Sequence, residues 1–136
     1  MKTAIVSAVF ALAIGQQGQN VDVVAHELMH AEIAERVGFW NRATKLPVWF
    51  DEGLAMQVDF RHRYNLKAPI NTAYVKTLFS GREFFVADSN DLTQPYAAAK
   101  SEVNAWLSRN TSRSVYENLS ELKHGASFDS IWQSTE

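Results

Sequence analysis

Val21-Asp22-Val23-Val24-Ala25-His26-Glu27-Leu28-Met29-His30-Ala31-Glu32-Ile33-Ala34-Glu35-Arg36-Val37 is the stretch on which the reading of this 136-residue chain turns. It reads as a helix. Four residues advance an α-helix by about 400°, so His26 and His30 point about 40° apart on one face. Two imidazoles stacked that way can grip one metal ion, and zinc suits them because neutral imidazole nitrogen is a favoured zinc ligand. Glu27 follows the first histidine. It is placed to reach a water on the metal rather than the metal itself, which is where a general base belongs. A histidine pair at this spacing is also an ordinary feature of helices. The glutamate between them, the helical context and the downstream sequence together favour the metal reading.

Catalytic zinc usually takes three protein ligands and keeps one position open. Spacing along the first helix does not supply the third. In the pattern H-E-x-x-H-x-x-G-x-x-H the later glycine and histidine would stand where this chain has Ile33 and Arg36. A histidine four positions after His30 would fall at Ala34, and no cysteine exists to serve as a thiolate ligand. Any zinc must therefore be held by nitrogen and oxygen.

Further on stands Trp49-Phe50-Asp51-Glu52-Gly53-Leu54-Ala55. This segment resembles the W-x-x-E-G-x-A element of the gluzincins, the thermolysin-like clan of zinc metallopeptidases. Together with Val24-Ala25-His26-Glu27-Leu28-Met29-His30-Ala31-Glu32 and Leu46-Pro47-Val48, it is similar to small bacterial gluzincin-like peptidases. The likeness is strong over residues 21 to 60 and weaker beyond. It implies Glu52 as the third zinc ligand beside His26 and His30. It also implies Glu27 as general base, and a tyrosine or histidine that donates a hydrogen bond to the oxyanion. Tyr96, Tyr64, Tyr74 and His62 are candidates for that donor, with Tyr96 preferred because a similar tyrosine begins a helix near the site in the family. The local sequence agrees with Glu52. Pro47 can open a helix without loss of a needed N–H, the segment Val48 to Phe60 continues it, and Gly38 to Leu46 allows the chain to reverse. Asp51 and Glu32 are the nearest carboxylates that could lock the imidazole rings from behind, but spacing assigns neither, and both read more readily as solvent-exposed charges.

Composition sets wider bounds. The length fits one domain over residues 1–136, and 46% hydrophobic residues are enough for a core. A net charge of −2 and no basic stripe argue against nucleic acid as a partner. Trp40, Trp49, Trp106 and Trp132 fall in or beside helical patterns and read as packing residues. Met1-Lys2 followed by Thr3 to Ile14 allows two readings. One is a short signal peptide cut near Ala11-Leu12-Ala13. The favoured one is a buried strand over Ala4 to Ile14, ended by a turn at Gly15-Gln16-Gln17-Gly18. That choice leaves location open, with the cytoplasm slightly preferred.

Later segments read as a connection over Phe39 to Lys45, a loop from Arg61 to Asn71, and a helix over Thr72 to Phe79. A short strand at Glu83 to Val86 and a helix from Tyr96 to Arg109 follow. Arg61 and Arg63 read as solvated charges rather than as a carboxylate site. Ser114 and Glu117 have the form of a capping box. Val115, Leu119 and Leu122 give the next helix its buried stripe. Gly125 ends that helix, and Ser127 caps a last one.

The expected fold is α+β and mostly α, a minimal zincin-like domain. An N-terminal strand precedes the helix of the two histidines, and a C-terminal helical bundle follows. A lone strand invites pairing with a second chain. The expected activity is zinc-dependent hydrolysis of peptide bonds in a peptide or protein substrate. Lack of a Gly-x-Met-Glu-Asn element leans toward internal cleavage. The alternative is a degenerate zincin that binds peptide or protein without cleaving it.

Overall fold

The structure is a computed structural model that describes residues 20–65, 71–87 and 91–134, with only the backbone for Ser112 and Arg113. The expected strand at Ala4 to Ile14, its possible pairing with a second chain and the signal-peptide alternative lie outside those residues. Among the described residues there is no strand. The α+β expectation is therefore corrected: what is described is helical throughout. The short strand expected at Glu83 to Val86 is also overturned. That segment is helical, because Ser80 and Glu83 form a reciprocal capping box that nucleates a helix over Gly81–Val86.

Seven α-helices are described: α1 (Val21–Val37), α2 (Phe39–Lys45), α3 (Val48–Ala55), α4 (Gly81–Val86), α5 (Thr93–Leu107), α6 (Ser112–Lys123) and α7 (Phe128–Gln133). Single 3-10 turns occupy Met56–Val58, His62–Tyr64 and Ala73–Thr77.

α1 starts where the Asn20 side chain accepts a hydrogen bond from the Asp22 N–H at 2.8 Å. It stops at Gly38, whose φ of 89° is open to glycine and strained for other residues. That turn leads directly into α2, where a simple connection was expected. The predicted helix over Val48 to Phe60 is shorter than the sequence pattern. α-Helical geometry ends at Ala55, and the chain tightens into the 3-10 turn before extending at Asp59. The segment expected to be helical at Thr72 to Phe79 shrinks likewise to Ala73–Thr77. Pro47 stands one residue before α3, and the helix entering α6 is capped by Thr111 rather than by Ser114, whose own N–H donates to the Thr111 hydroxyl.

α3 sits at the centre, packed between α1 and α5. Every residue from Trp49 to Ala55 is buried. Gly53 makes the α3–α5 approach possible: a Cβ there would lie 2.5 Å from Val103 Cγ2 and 2.6 Å from the Ala99 carbonyl oxygen. α6 covers the other side of α1 through Val115, Leu119 and Leu122, the stripe expected from its spacing. An aromatic cluster of Trp49, Phe50, Trp106, Phe128 and Trp132 joins α3, α5 and α7, mostly in edge-to-face contacts. Trp40 departs from the packing expectation. It is 74% exposed on α2, edge-to-face with Phe39. Among the described residues, no helix is long and apolar enough to cross a membrane.

Candidate metal centre

α3 carries two carboxylates, Asp51 and Glu52, into the interior. Buried charges need partners, and both find theirs on the histidine face of α1. Glu52 Oε2 lies 3.2 Å from His26 Nε2 and 3.5 Å from His30 Nε2. The two Nε2 atoms are themselves 3.2 Å apart. Three ligand atoms from two helices therefore face one point. Two imidazole nitrogens at that separation can share one proton, or both lone pairs can face a single added cation. The spacing also has the right size. Bonds of about 2.0–2.1 Å in a tetrahedral arrangement separate neighbouring ligand atoms by about 3.3 Å. His26, His30 and Glu52 form a buried group that can hold a metal ion.

The charges around this point are coupled. Burial disfavours a charged His30, but hydrogen bonds to Asp51 and Glu52 outweigh that cost and raise its pKa from 6.5 to about 10. Burial likewise opposes ionisation of Glu52, and hydrogen bonds from His26 and His30 overcome it, lowering its pKa to about 2. Without a metal, the group is thus a carboxylate–imidazolium pair. A metal ion would take the proton's place on His30.

His30 Nδ1 points the other way, 3.0 Å from Asp51 Oδ1. The second oxygen of Asp51 accepts from Arg42 Nε at 2.8 Å and Nη2 at 2.6 Å. Asp51, for which a solvent-exposed charge was the favoured reading and a place behind the rings the alternative, is buried behind His30. Glu32, the other candidate, is not. It turns along α1 to Arg36, 2.6 Å away, one helical turn on.

A cleft of about 500 Å³ opens beside His26, bordered by Glu27, Arg61, Arg63, Tyr64, Thr93 and Tyr96 among others. Glu27 is half-buried and borders this space together with His26. The Tyr96 ring centroid is 6.2 Å from that of His26. Burial first, then the negative charges of Glu52 and Glu27, push the Tyr96 phenol above its ordinary value of 10.0, so it keeps its proton and can donate. The other oxyanion candidates differ in place. Tyr64 also borders the cleft, 5.4 Å from Tyr96 between ring centroids. Tyr74 packs against the core and His62 is exposed.

Arg61 does not fit the reading of a solvated charge. It clamps the buried carboxylate of Asp59, a residue that sequence reasoning passed over. The only signal available was an aspartate two residues before an arginine, a pattern too common to single out. Burial raises the Asp59 pKa, but Arg61 more than reverses this, holding it below the ordinary 3.8. Arg63 is exposed, with its guanidinium 4.7 Å from the Tyr64 ring centroid.

In comparisons with known proteins, no family model, no curated protein and no solved structure matches this chain.

Proposed function

We propose that this chain is a zinc-dependent hydrolase of peptide bonds, working in the gluzincin manner that its H-E-x-x-H and W-x-x-E-G-x-A segments resemble. The observation that carries the reading is the mutual approach of His26 Nε2, His30 Nε2 and Glu52 Oε2 within 3.2–3.5 Å. Two imidazoles and one carboxylate, with no cysteine in the chain, suit zinc held by nitrogen and oxygen.

When bound, zinc would supply Lewis acidity toward a carbonyl and a water of lowered pKa. The chain's own residues would do the rest. Glu27 borders the cleft next to His26, so its carboxylate can take a proton from an attacking water and return it to the leaving amine. Tyr96, protonated and beside the same cleft, can donate a hydrogen bond to the oxygen on which negative charge develops. Asp51, held by Arg42, keeps the His30 ring turned so that Nε2 faces Glu52.

Metal analysis of the purified chain, followed by assay on an unstructured protein, tests this. One zinc per chain is expected, falling sharply in Glu52→Ala. Glu27→Gln should keep the zinc and lose about 10²–10⁴-fold in kcat, the usual contribution of a general base. A chain that takes up no divalent metal overturns the proposal. Zinc bound tightly with no cleavage, in wild type and mutant alike, points instead to a binding module without catalysis.

A further inference from the structure

The metal-site reading leaves one side chain incompletely held, and the inference concerns that side chain and rests on that reading. His26 is 5% exposed, and its Nδ1 is buried without a hydrogen-bond partner. The equivalent nitrogen of His30 is satisfied by Asp51. A buried ring nitrogen left unpaired is costly, so its surroundings call for an explanation.

Asp59 Oδ2 lies 3.4 Å from it, within ion-pair distance but without the alignment of a formed hydrogen bond. Asp59 is fully buried. Its carboxylate is aimed by several contacts. Arg61 Nε donates to Oδ1 at 2.9 Å and to Oδ2 at 3.0 Å, and Arg61 Nη2 also donates to Oδ2. The Arg61 backbone N–H donates to Oδ1 at 3.1 Å. From α5, Lys100 Nζ donates to the Asp59 carbonyl oxygen at 2.9 Å. Burying an aspartate against an arginine gains little in net stability, because desolvation of the carboxylate works against the pair. The placement makes sense if the carboxylate serves the ring behind which it lies.

We propose that Asp59, braced by Arg61, is the positioning residue for His26. A neutral imidazole carries one N–H. With that proton on Nδ1, directed at Asp59, the Nε2 lone pair is left free toward His30 and Glu52. The two atoms are already 3.4 Å apart, and a small turn of the ring or the carboxylate aligns the hydrogen bond. The centre then has two matched supports: Arg42–Asp51–His30 from α2 and α3, and Arg61–Asp59–His26 from the segment after α3. Asp59 touches neither metal nor substrate. It acts through the tautomer and angle of one ligand.

The test is zinc affinity, measured by competition with a chromophoric chelator, together with ¹⁵N-edited NMR of the histidine rings. Asp59→Ala should weaken zinc by about 10–100-fold, the usual effect of removing such a support. The His26 Nδ1–H resonance, slow to exchange and downfield in the zinc-loaded wild type, should be lost. Asp59→Asn retains an acceptor oxygen and should recover much of the affinity. Arg61→Gln, which keeps the carboxylate but frees it, should fall between. Arg61 borders the cleft, so its variants are judged by metal affinity and not by turnover. If Asp59→Ala does not fold, Asp59→Asn and Arg61→Gln still decide the matter through the same resonance. Zinc affinity within about threefold of wild type in all three variants overturns the inference, as does ligation by His26 through Nδ1. A purely structural role would lower the melting temperature yet leave the Nδ1–H signal in the Arg61→Gln protein unchanged, and that also overturns it. Wild-type protein that binds no zinc overturns both this and the proposed function. Wild-type binding with indifferent variants overturns this alone.

Discussion

The two flanks of α3 are built on opposite principles. Toward α5 and α7 it presents Trp49 and Phe50 to Trp106, Phe128 and Trp132, an almost wholly apolar contact in which the Trp106 indole N–H is the one buried polar atom left over. Toward α1 it presents Asp51 and Glu52 to two histidines, and every one of those groups must be matched by an opposite charge or a hydrogen bond. Apolar burial is favourable without regard to direction. Buried charge is tolerated only in one geometry, and it gains little in net stability. The aromatic flank therefore holds the helices together, and the polar flank uses that rigidity to keep three candidate ligand atoms within 3.2–3.5 Å of one another.

Changes on each flank should separate these roles. The largest effect on folding is expected from Trp106→Ala, which empties a fully buried site. About 3–5 kcal/mol of stability should be lost, measured by urea unfolding, while zinc affinity of the folded fraction stays as in the wild type. A large change in that affinity would mean the flanks are not separable. Gly53→Ala lies between them. The added methyl would press on Val103 and on the Ala99 backbone, which cannot move aside alone, so α3 and α5 must part. A loss of about 1–3 kcal/mol is expected. Because Glu52 is the preceding residue, zinc binding should weaken with it. Loss of stability alone would show that the ligand is held from α1 rather than from α5.

The smallest expected effect is in pH dependence, and it belongs to the polar flank only. The lowered pKa of Glu52 stabilises the metal-free fold above about pH 4.5, and this is lost as pH falls toward about 2. The raised pKa of His30 stabilises it fully below pH 6.5, and this is lost as pH rises through about 10. Both contributions are present between those limits, so the metal-free chain should melt highest near pH 4.5–6.5, by an amount on the order of a few degrees. Zinc competes with the His30 proton, so the zinc-loaded chain should have its optimum at higher pH. Melting curves in chelator and in zinc compare the two. Coincident optima would break the link between His30 protonation and the metal site.

What could be read from residue order was whatever depends on neighbours along one helix. His26 and His30 share a face because 3.6 residues make a turn, and no distant contact is needed for that. The stripe of Val115, Leu119 and Leu122 and the cap at Ser127 are local in the same way. Helix lengths after Val48 were less legible. Whether a segment closes as an α-helix, as Gly81–Val86 does, or tightens into a 3-10 turn, as Met56–Val58 does, depends on which packing partner the chain meets. The pairing of Glu52 with the histidines followed only from a resemblance, and the braces behind the rings divided: Asp51 was in view, Glu32 turned elsewhere, and Asp59 was not seen. Sequence alone determined that two imidazoles stand side by side, because that is helix geometry. Which carboxylates face them was decided by the tertiary structure, because it requires a second helix and the segment after it to be carried back onto the first by burial of an apolar flank that lies on the other side.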